Sequence, residues 1–232
     1  MIKEFTIRRK RGMFDRGMLE LLGKGIFETL YMTIASTALA YVFGLPLGVL
    51  LCVTDNNGVY PIPAVNKLLG FIINFLRSVP FLILLVFILP LTRAIVGTTI
   101  GSTATIVPLV VAASPFVARM VESSLKEVDS GVIEAAQSMG SSTFQIIYKV
   151  LIPEAKPSLI IGAAIAITTI LGHSAMAGFV GGGGLGTIAV NYGYYRYQRD
   201  VMAVTVILLV IIVQIFQEIG MRIARHSDKR IR

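Results

Sequence analysis

The stretch YMTIASTALAYVFGLPLGVLLC, from Tyr31 to Cys52, contains no charged residue. At 1.5 Å of rise per residue it is long enough as a helix to cross a hydrocarbon core. Working outward, the apolar run starts near Gly25, takes in Glu28 at its entrance and ends at Val53. Gly44 and Gly48 within it form a small-xxx-small pair that permits close helix contact, dimerisation being the lesser of its uses. The same pattern recurs along the chain. Of 232 residues, 55% are hydrophobic and 15% are charged, and mean hydropathy is +0.78. A soluble domain carries about a quarter charged residues, so a soluble two-domain enzyme is excluded and an integral membrane protein is implied.

Five spans follow from the apolar runs, at about 25–53, 68–91, 99–118, 158–178 and 201–219. Asp55-Asn56-Asn57-Gly58, then Pro61 and Pro63, mark a turn after the first. The second holds Arg77, Pro80 and Pro90 and is expected to be kinked or broken. A cation at mid-membrane costs about 2.5–3.5 kcal/mol on insertion scales. Arg77 is therefore expected to snorkel at an interface or to turn into the bundle as an ion pair, and neither use makes it a substrate ligand. Pro108 and Pro115 interrupt the third span, and Gln214 lies in the fifth with Glu218 at its end. Residues 1–24 form a basic arm, 25–221 a transmembrane domain with a polar loop at 119–157, and 222–232 a basic tail.

The net charge of +8 does not point to nucleic acid, because the basic residues flank apolar segments as they do at lipid headgroups. With the tail and the 54–67 and 119–157 loops inside, ten Lys and Arg lie on the cytoplasmic side and three outside. This puts a multi-pass chain in the cytoplasmic membrane, C-terminus inside and N-terminus outside. The arm, with seven Lys and Arg, runs against that rule. It is not a signal peptide, since a long apolar stretch follows and no small-residue cleavage site precedes a soluble domain. The tail is a headgroup contact. Cys52 is the lone cysteine and sits in an apolar run, which excludes an internal disulfide.

The polar loop carries the sharpest signal. Val132, Ile133, Ala136 and Met139 have helical spacing, and Gly140 suits a left-handed helix end. Ser142 or Thr143 can cap a second helix, Phe144 to Leu151, which Pro153 stops. Two short amphipathic helices joined at a glycine, outside the membrane, either cover the bundle or dock a partner.

Glu134-Ala135-Ala136, three residues, Gly140, nine residues and then Val150-Leu151-Ile152-Pro153 resemble the coupling loop of ABC-importer permeases. Val150 and Ile152 stand where that family usually has Ile and Leu. The segments Phe75–Phe81, Thr92–Thr98, Gly172–Gly178, Gly181–Gly186 and Tyr192–Tyr197 are similar to the methionine-importer branch, and together the resemblance covers about residues 18–221. It implies an all-α, polytopic membrane protein with five transmembrane helices, of the type I importer permease fold. It further implies a homodimer, two copies of a cytoplasmic ABC ATPase that binds the ATP, and an extracytoplasmic methionine-binding protein delivering D- or L-methionine. Glu134, Ala135, Ala136, Gly140, Val150, Ile152 and Pro153 would then couple to the ATPase. The first 17 residues have no counterpart in that branch.

Other signals are weaker. Gly181-x-Gly183-x-x-Gly186 matches a dinucleotide fingerprint in spacing, but no strand precedes it; a tight turn fits better, with a binding-protein contact as the lesser use. No GxxxxGK[ST] occurs, so no cofactor is expected in this chain and any ATP hydrolysis belongs to another subunit. His173 and His226 lack neighbours at metal-ligand spacing, and His173 is expected to be a hydrogen-bonded helix residue. Ser174 and Met176 lie where the fourth span turns small and polar, as a translocation path would, and a flexible Met can gate a narrow pore. A permease for another small amino acid is the nearest alternative. A secondary carrier or channel would call for inverted repeats or midplane ion pairs, and a membrane enzyme for convergent titratable groups.

Overall fold

A computed structural model describes residues 16–227, and among these every regular element is helical. The first helix, α1 (Arg16–Val53), begins nine residues before the apolar run. Its 38 residues extend about 57 Å at the helical rise, well beyond a hydrocarbon core of about 30 Å. Residues 16–24, expected in the arm, therefore belong to a helix, and Leu22 is buried with Leu171, Leu185, Ile188 and Val201. The expectations for residues 1–15 and 228–232 lie outside the described residues.

The turn after Val53 leads into α2 (Pro63–Ser78), and the chain then bends by 100° into α3 (Phe81–Phe87). Pro80 is the cause: its ring disfavours helical backbone at Val79, which sits at φ −78° and ψ 125°. A short α4 (Leu89–Val96) ends at Gly97 in the left-handed region. Among the described residues four helical stretches are long and apolar enough to cross a membrane, or five where the bent α2–α3 pair is counted as one broken span.

Pro108 and Pro115 do not interrupt the third span. Helix α5 (Ser102–Lys126) runs through both, and both are buried. Ser114, next to Pro115, is itself satisfied within the helix, donating its hydroxyl to the carbonyl of Val110 at 2.7 Å. The helix also extends to Lys126, eight residues past the expected end of the span. Helices α1 and α5 form the largest pairing in the fold. Gly44 and Gly48 lie in its seam against Ser114, Val117, Ala118 and Val121, so this small-residue pair is used within one chain.

Beyond α5 come α6 (Ser130–Ser138) and α7 (Thr143–Ile146). The latter widens into a π-helical stretch, Ile147–Leu151, and closes with Ile152–Glu154. Pro153 does not stop the helix at Ile152. The helical backbone runs on past it to Glu154, with the π-helical stretch Ile147–Leu151 immediately before it. Helix α8 (Lys156–Met176) passes through a 3₁₀ turn, Ala177–Val180, to α9 (Gly184–Ile188) and another π-helical stretch, Ala189–Tyr194. Helix α10 (Arg199–Ser227) packs along α8.

Candidate functional site

Helices α6 and α7 stand at the end of the bundle where Asp55 meets Lys126. Asp129 caps α6 by accepting the N–H of Gly131 at 2.7 Å. Ser142, rather than Thr143, caps α7 in a reciprocal box with Gln145, whose side chain accepts the Ser142 N–H at 2.8 Å. Gly140, at φ +76°, joins the two helices in a conformation that a Cβ would strain.

The motif residues divide by facing. Glu134, Ala135 and Pro153 are exposed, whereas Ala136 is buried in the main core, with half-buried Val150 and Ile152 packed against that core. The exposed side carries large apolar groups among polar ones: Met139 is 79% exposed, and the stacked rings of Phe144 and Tyr148 are uncovered. The helices thus cover the bundle with one face and leave the other unmatched by this chain.

A charge network at the end of α5 ties that helix to the turn after α1 and to α2. Glu122, almost fully buried, takes Arg119 at 2.6 Å and Lys126 at 2.9 Å, and Lys126 reaches Asp55 at 2.7 Å. Arg119 also donates to the carbonyl of Gly70 at 3.2 Å and to Asn74 at 2.9 Å, tying α5 to α2. A cleft of about 450 Å³ beside this network is lined by Asp55, Lys126, Ile133 and Glu134.

The hydrogen bond from Lys126, helped by the N–H of Asn56, holds the Asp55 carboxyl below the usual aspartate range. A lowered folded-state value stabilises the fold above the unfolded aspartate pKa of about 3.9, and that contribution is lost as acid carries the pH down through the folded value. The thermal midpoint is therefore expected to fall below about pH 4. Asp55→Asn should shrink the acid-induced loss; an unchanged acid profile would show that the pair contributes nothing measurable.

The opposite end is built around the glycine run. Gly181, Gly183 and Gly184 all have positive φ, as a tight turn demands. Glu28 accepts the N–H of Gly184 at 2.7 Å, and Thr29 accepts that of Leu185 at 2.9 Å. Thr105 binds the carbonyl of Gly182 at 3.1 Å. Glu28 thus fastens a turn 156 positions away in the chain, a role that nothing near it in sequence signals.

The path candidates separate. Ser174 is 1% exposed and donates its hydroxyl to Leu171 at 2.7 Å, while Met176 is 46% exposed at the end of α8. His173 is not the hydrogen-bonded residue expected. Its imidazole stacks on Phe81 at 4.4 Å, and Nδ1 is buried without a partner among the described residues. Among those residues no group of three or more His, Cys, Asp or Glu could hold a metal. Arg77 is exposed and its guanidinium lies over the Phe116 ring, 5.9 Å from the centroid.

Residues 44–232 match the family described as binding-protein-dependent transport system inner membrane component. The chain is 50% identical over 211 residues to the probable D-methionine transport system permease protein MetI of Vibrio cholerae, covering 91% of this chain and 94% of that protein. It is 45% identical over 209 residues to the methionine import system permease protein MetP of Bacillus subtilis, covering 90% and 94%. Among solved structures, an inward-facing MetNI methionine ABC transporter superposes with a TM-score of 0.92 at 47% identity, covering 93% of this chain and all of that one. An amino acid ABC transporter crystallised with histidines shares the fold, with a TM-score of 0.76 at 19% identity over 90% and 95% of the two chains.

Proposed function

The chain belongs to the family of binding-protein-dependent transport system inner membrane components, and from that membership we propose that it is the membrane-spanning subunit of an ATP-driven methionine importer. Its substrate would be D- or L-methionine, handed over by an extracytoplasmic binding protein and released into the cytoplasm. ATP is bound and hydrolysed by a separate ATPase subunit. Two copies of this chain and two of the ATPase make up the working assembly. The methionine assignment draws on the names of the relatives at 45–50% identity.

One observation carries the mechanism: the capped pair α6–α7 leaves Met139, Phe144 and Tyr148 uncovered outside the spans. An ATPase groove would cover that surface. Glu134, Ala135 and Pro153 are its outward contacts, Gly140 its hinge, and Ala136, Val150 and Ile152 its attachment to the bundle. ATP-driven movement of the pair then reaches α5 through the short link at residues 127–129 and the buried Ala136 and Ile146, and α8 through the short helical link. Such rigid-body motion alternates access on the two sides. Met176, on the open face, closes the path between the copies, and Ser174 holds the helix behind it. We place α6–α7 and the C-terminus in the cytoplasm and the N-terminus outside, following the surplus of Lys and Arg on the loop side.

Uptake of labelled methionine into proteoliposomes holding this chain, its ATPase and its binding protein tests the proposal. ATP-dependent uptake suppressed by unlabelled methionine is expected. Uptake of a different amino acid alone would overturn the substrate, and methionine flux indifferent to ATP would overturn the coupling.

A further inference from the structure

The chain bends by 100° between α2 and α3, so at most one of the two runs along the membrane normal. Helix α3 is the one set among the spans. Phe81, Leu84 and Leu85 are buried in it, and Phe81 and Leu84 share a cavity wall with Ala112 and Phe116 of α5 and Ile170 of α8. Helix α2 instead stays at the charged end of the bundle. Near its start Asn66 donates to the carbonyl of Leu51, in the last turn of α1, at 2.7 Å. Two turns on, Asn74 still accepts from Arg119, the partner of Glu122. The rise to the opposite end, where Gly101 donates to the carbonyl of Gly181 at 3.0 Å, therefore falls to α3 and α4. From Phe81 to Val96 these extend about 24 Å at the helical rise, most of a hydrocarbon core of about 30 Å.

The chain uses only one side of α2. Ile73 is its single buried residue, and Asn66, Gly70 and Asn74 carry its hydrogen bonds to α1 and α5. On the other side Leu68, Phe71, Ile72 and Phe75 are 44–69% exposed. Their spacing makes them one continuous stripe along the helix. No acidic residue occurs in α2. Lys67 precedes the stripe and Arg77 follows it; both are exposed, and neither makes an ion pair among the described residues.

We propose that α2 lies along the membrane surface on the α6–α7 side, its stripe in the acyl boundary and its two cations on the phosphates of anionic phospholipids. A helix with an apolar face and basic flanks settles at that boundary. The long stems of Lys67 and Arg77 let the charges reach the headgroups while the backbone stays level with the acyl chains. The second crossing of the membrane is then α3–α4, and the break at Pro80 is an elbow between an in-plane helix and a crossing one. Through Arg119 the leaflet holds the inner end of α5 as well.

The chain contains no tryptophan, so Leu68→Trp and Phe75→Trp each report on one point of the stripe, read as the difference from the unsubstituted transporter. Both positions are exposed, and neither substitution disturbs a buried contact. The complete transporter is placed in phosphatidylcholine nanodiscs doped with phosphatidylglycerol brominated either high or low on its acyl chains. The two points lie two turns apart, about 10 Å along the helix. Equal quenching at both is expected, stronger from bromine near the headgroup than from bromine near the chain end. Association with brominated phosphatidylglycerol should exceed that with brominated phosphatidylcholine about fivefold, the effect of a cation near an anionic surface. Lys67→Gln combined with Arg77→Gln should erase that preference. Depths differing by about 10 Å would make α2 half of a span and overturn the in-plane placement. Absence of quenching would overturn it too, by putting a second copy or another protein over the stripe. Equal association with the two lipids, or a preference that survives loss of both cations, would overturn the phosphate contact.

Discussion

Gly48→Val is expected to leave almost no folded chain in the membrane. A Cβ at Gly48 would lie 2.5 Å from the carbonyl oxygen of Ala118 and 2.6 Å from the Cβ of Val121. Neither atom is the tip of a flexible side chain, so α1 and α5 would have to separate. Gly44 meets Val117 and the Ser114 carbonyl in the same way one turn earlier, so the seam cannot pivot about that point. Overpacking costs about 1–3 kcal/mol when neighbours can shift; here the largest helix pairing would be forced apart, and the cost should exceed that range. Size-exclusion yield of detergent-extracted protein after mild heating measures it. Gly23→Ala on the same helix is the control, because nothing lies within 4 Å of the added methyl. A monodisperse yield for Gly48→Val equal to that of the control would show that the α1–α5 seam is looser than described.

Glu134→Lys should abolish transport while leaving the subunit folded. Glu134 is exposed on α6, and substitutions at such positions usually change stability by no more than about 0.5 kcal/mol. At an interface the reversed charge acts differently. Placing a cation where a partner is matched to a carboxylate costs about 2–5 kcal/mol, which is tenfold or more in affinity. Co-purification of the ATPase and ATP-driven uptake should both drop by at least tenfold, with Glu134→Gln between. Intact ATPase binding and uptake in Glu134→Lys would remove this residue from the docking face.

Parts of this architecture were legible because they are local. Apolar runs declare the spans, since any helix of that length and composition must leave water. The break at Pro80 follows from a missing N–H and a ring clash, wherever the rest of the chain goes. The α6–α7 pair could be read from periodicity, Gly140 and the cap at Ser142. Its motif further placed the chain in a family, because those residue types at that spacing are rare by chance. Two local rules misled. Pro108 and Pro115 did not end a helix, because burial against α1 outweighed two lost hydrogen bonds. Pro153 did not stop its helix either; the backbone runs from the π-helical stretch before it on to Glu154.

What composition and periodicity determined, then, is a helical membrane protein with two short polar helices between its spans, and the motif's resemblance added the permease family. Tertiary structure alone decided which surfaces meet. It assigned Gly44 and Gly48 to α5, and it fastened the glycine turn with Glu28 from 156 positions away. It also turned Ser174 inward and Met176 outward, and brought Arg77, Phe116 and His173 to one cavity from three separate helices. The physical reason is range. Hydropathy, backbone strain and capping act within a few residues and are written in neighbouring letters. Packing and counter-charge act through space, between residues whose proximity exists only once the helices have chosen their partners.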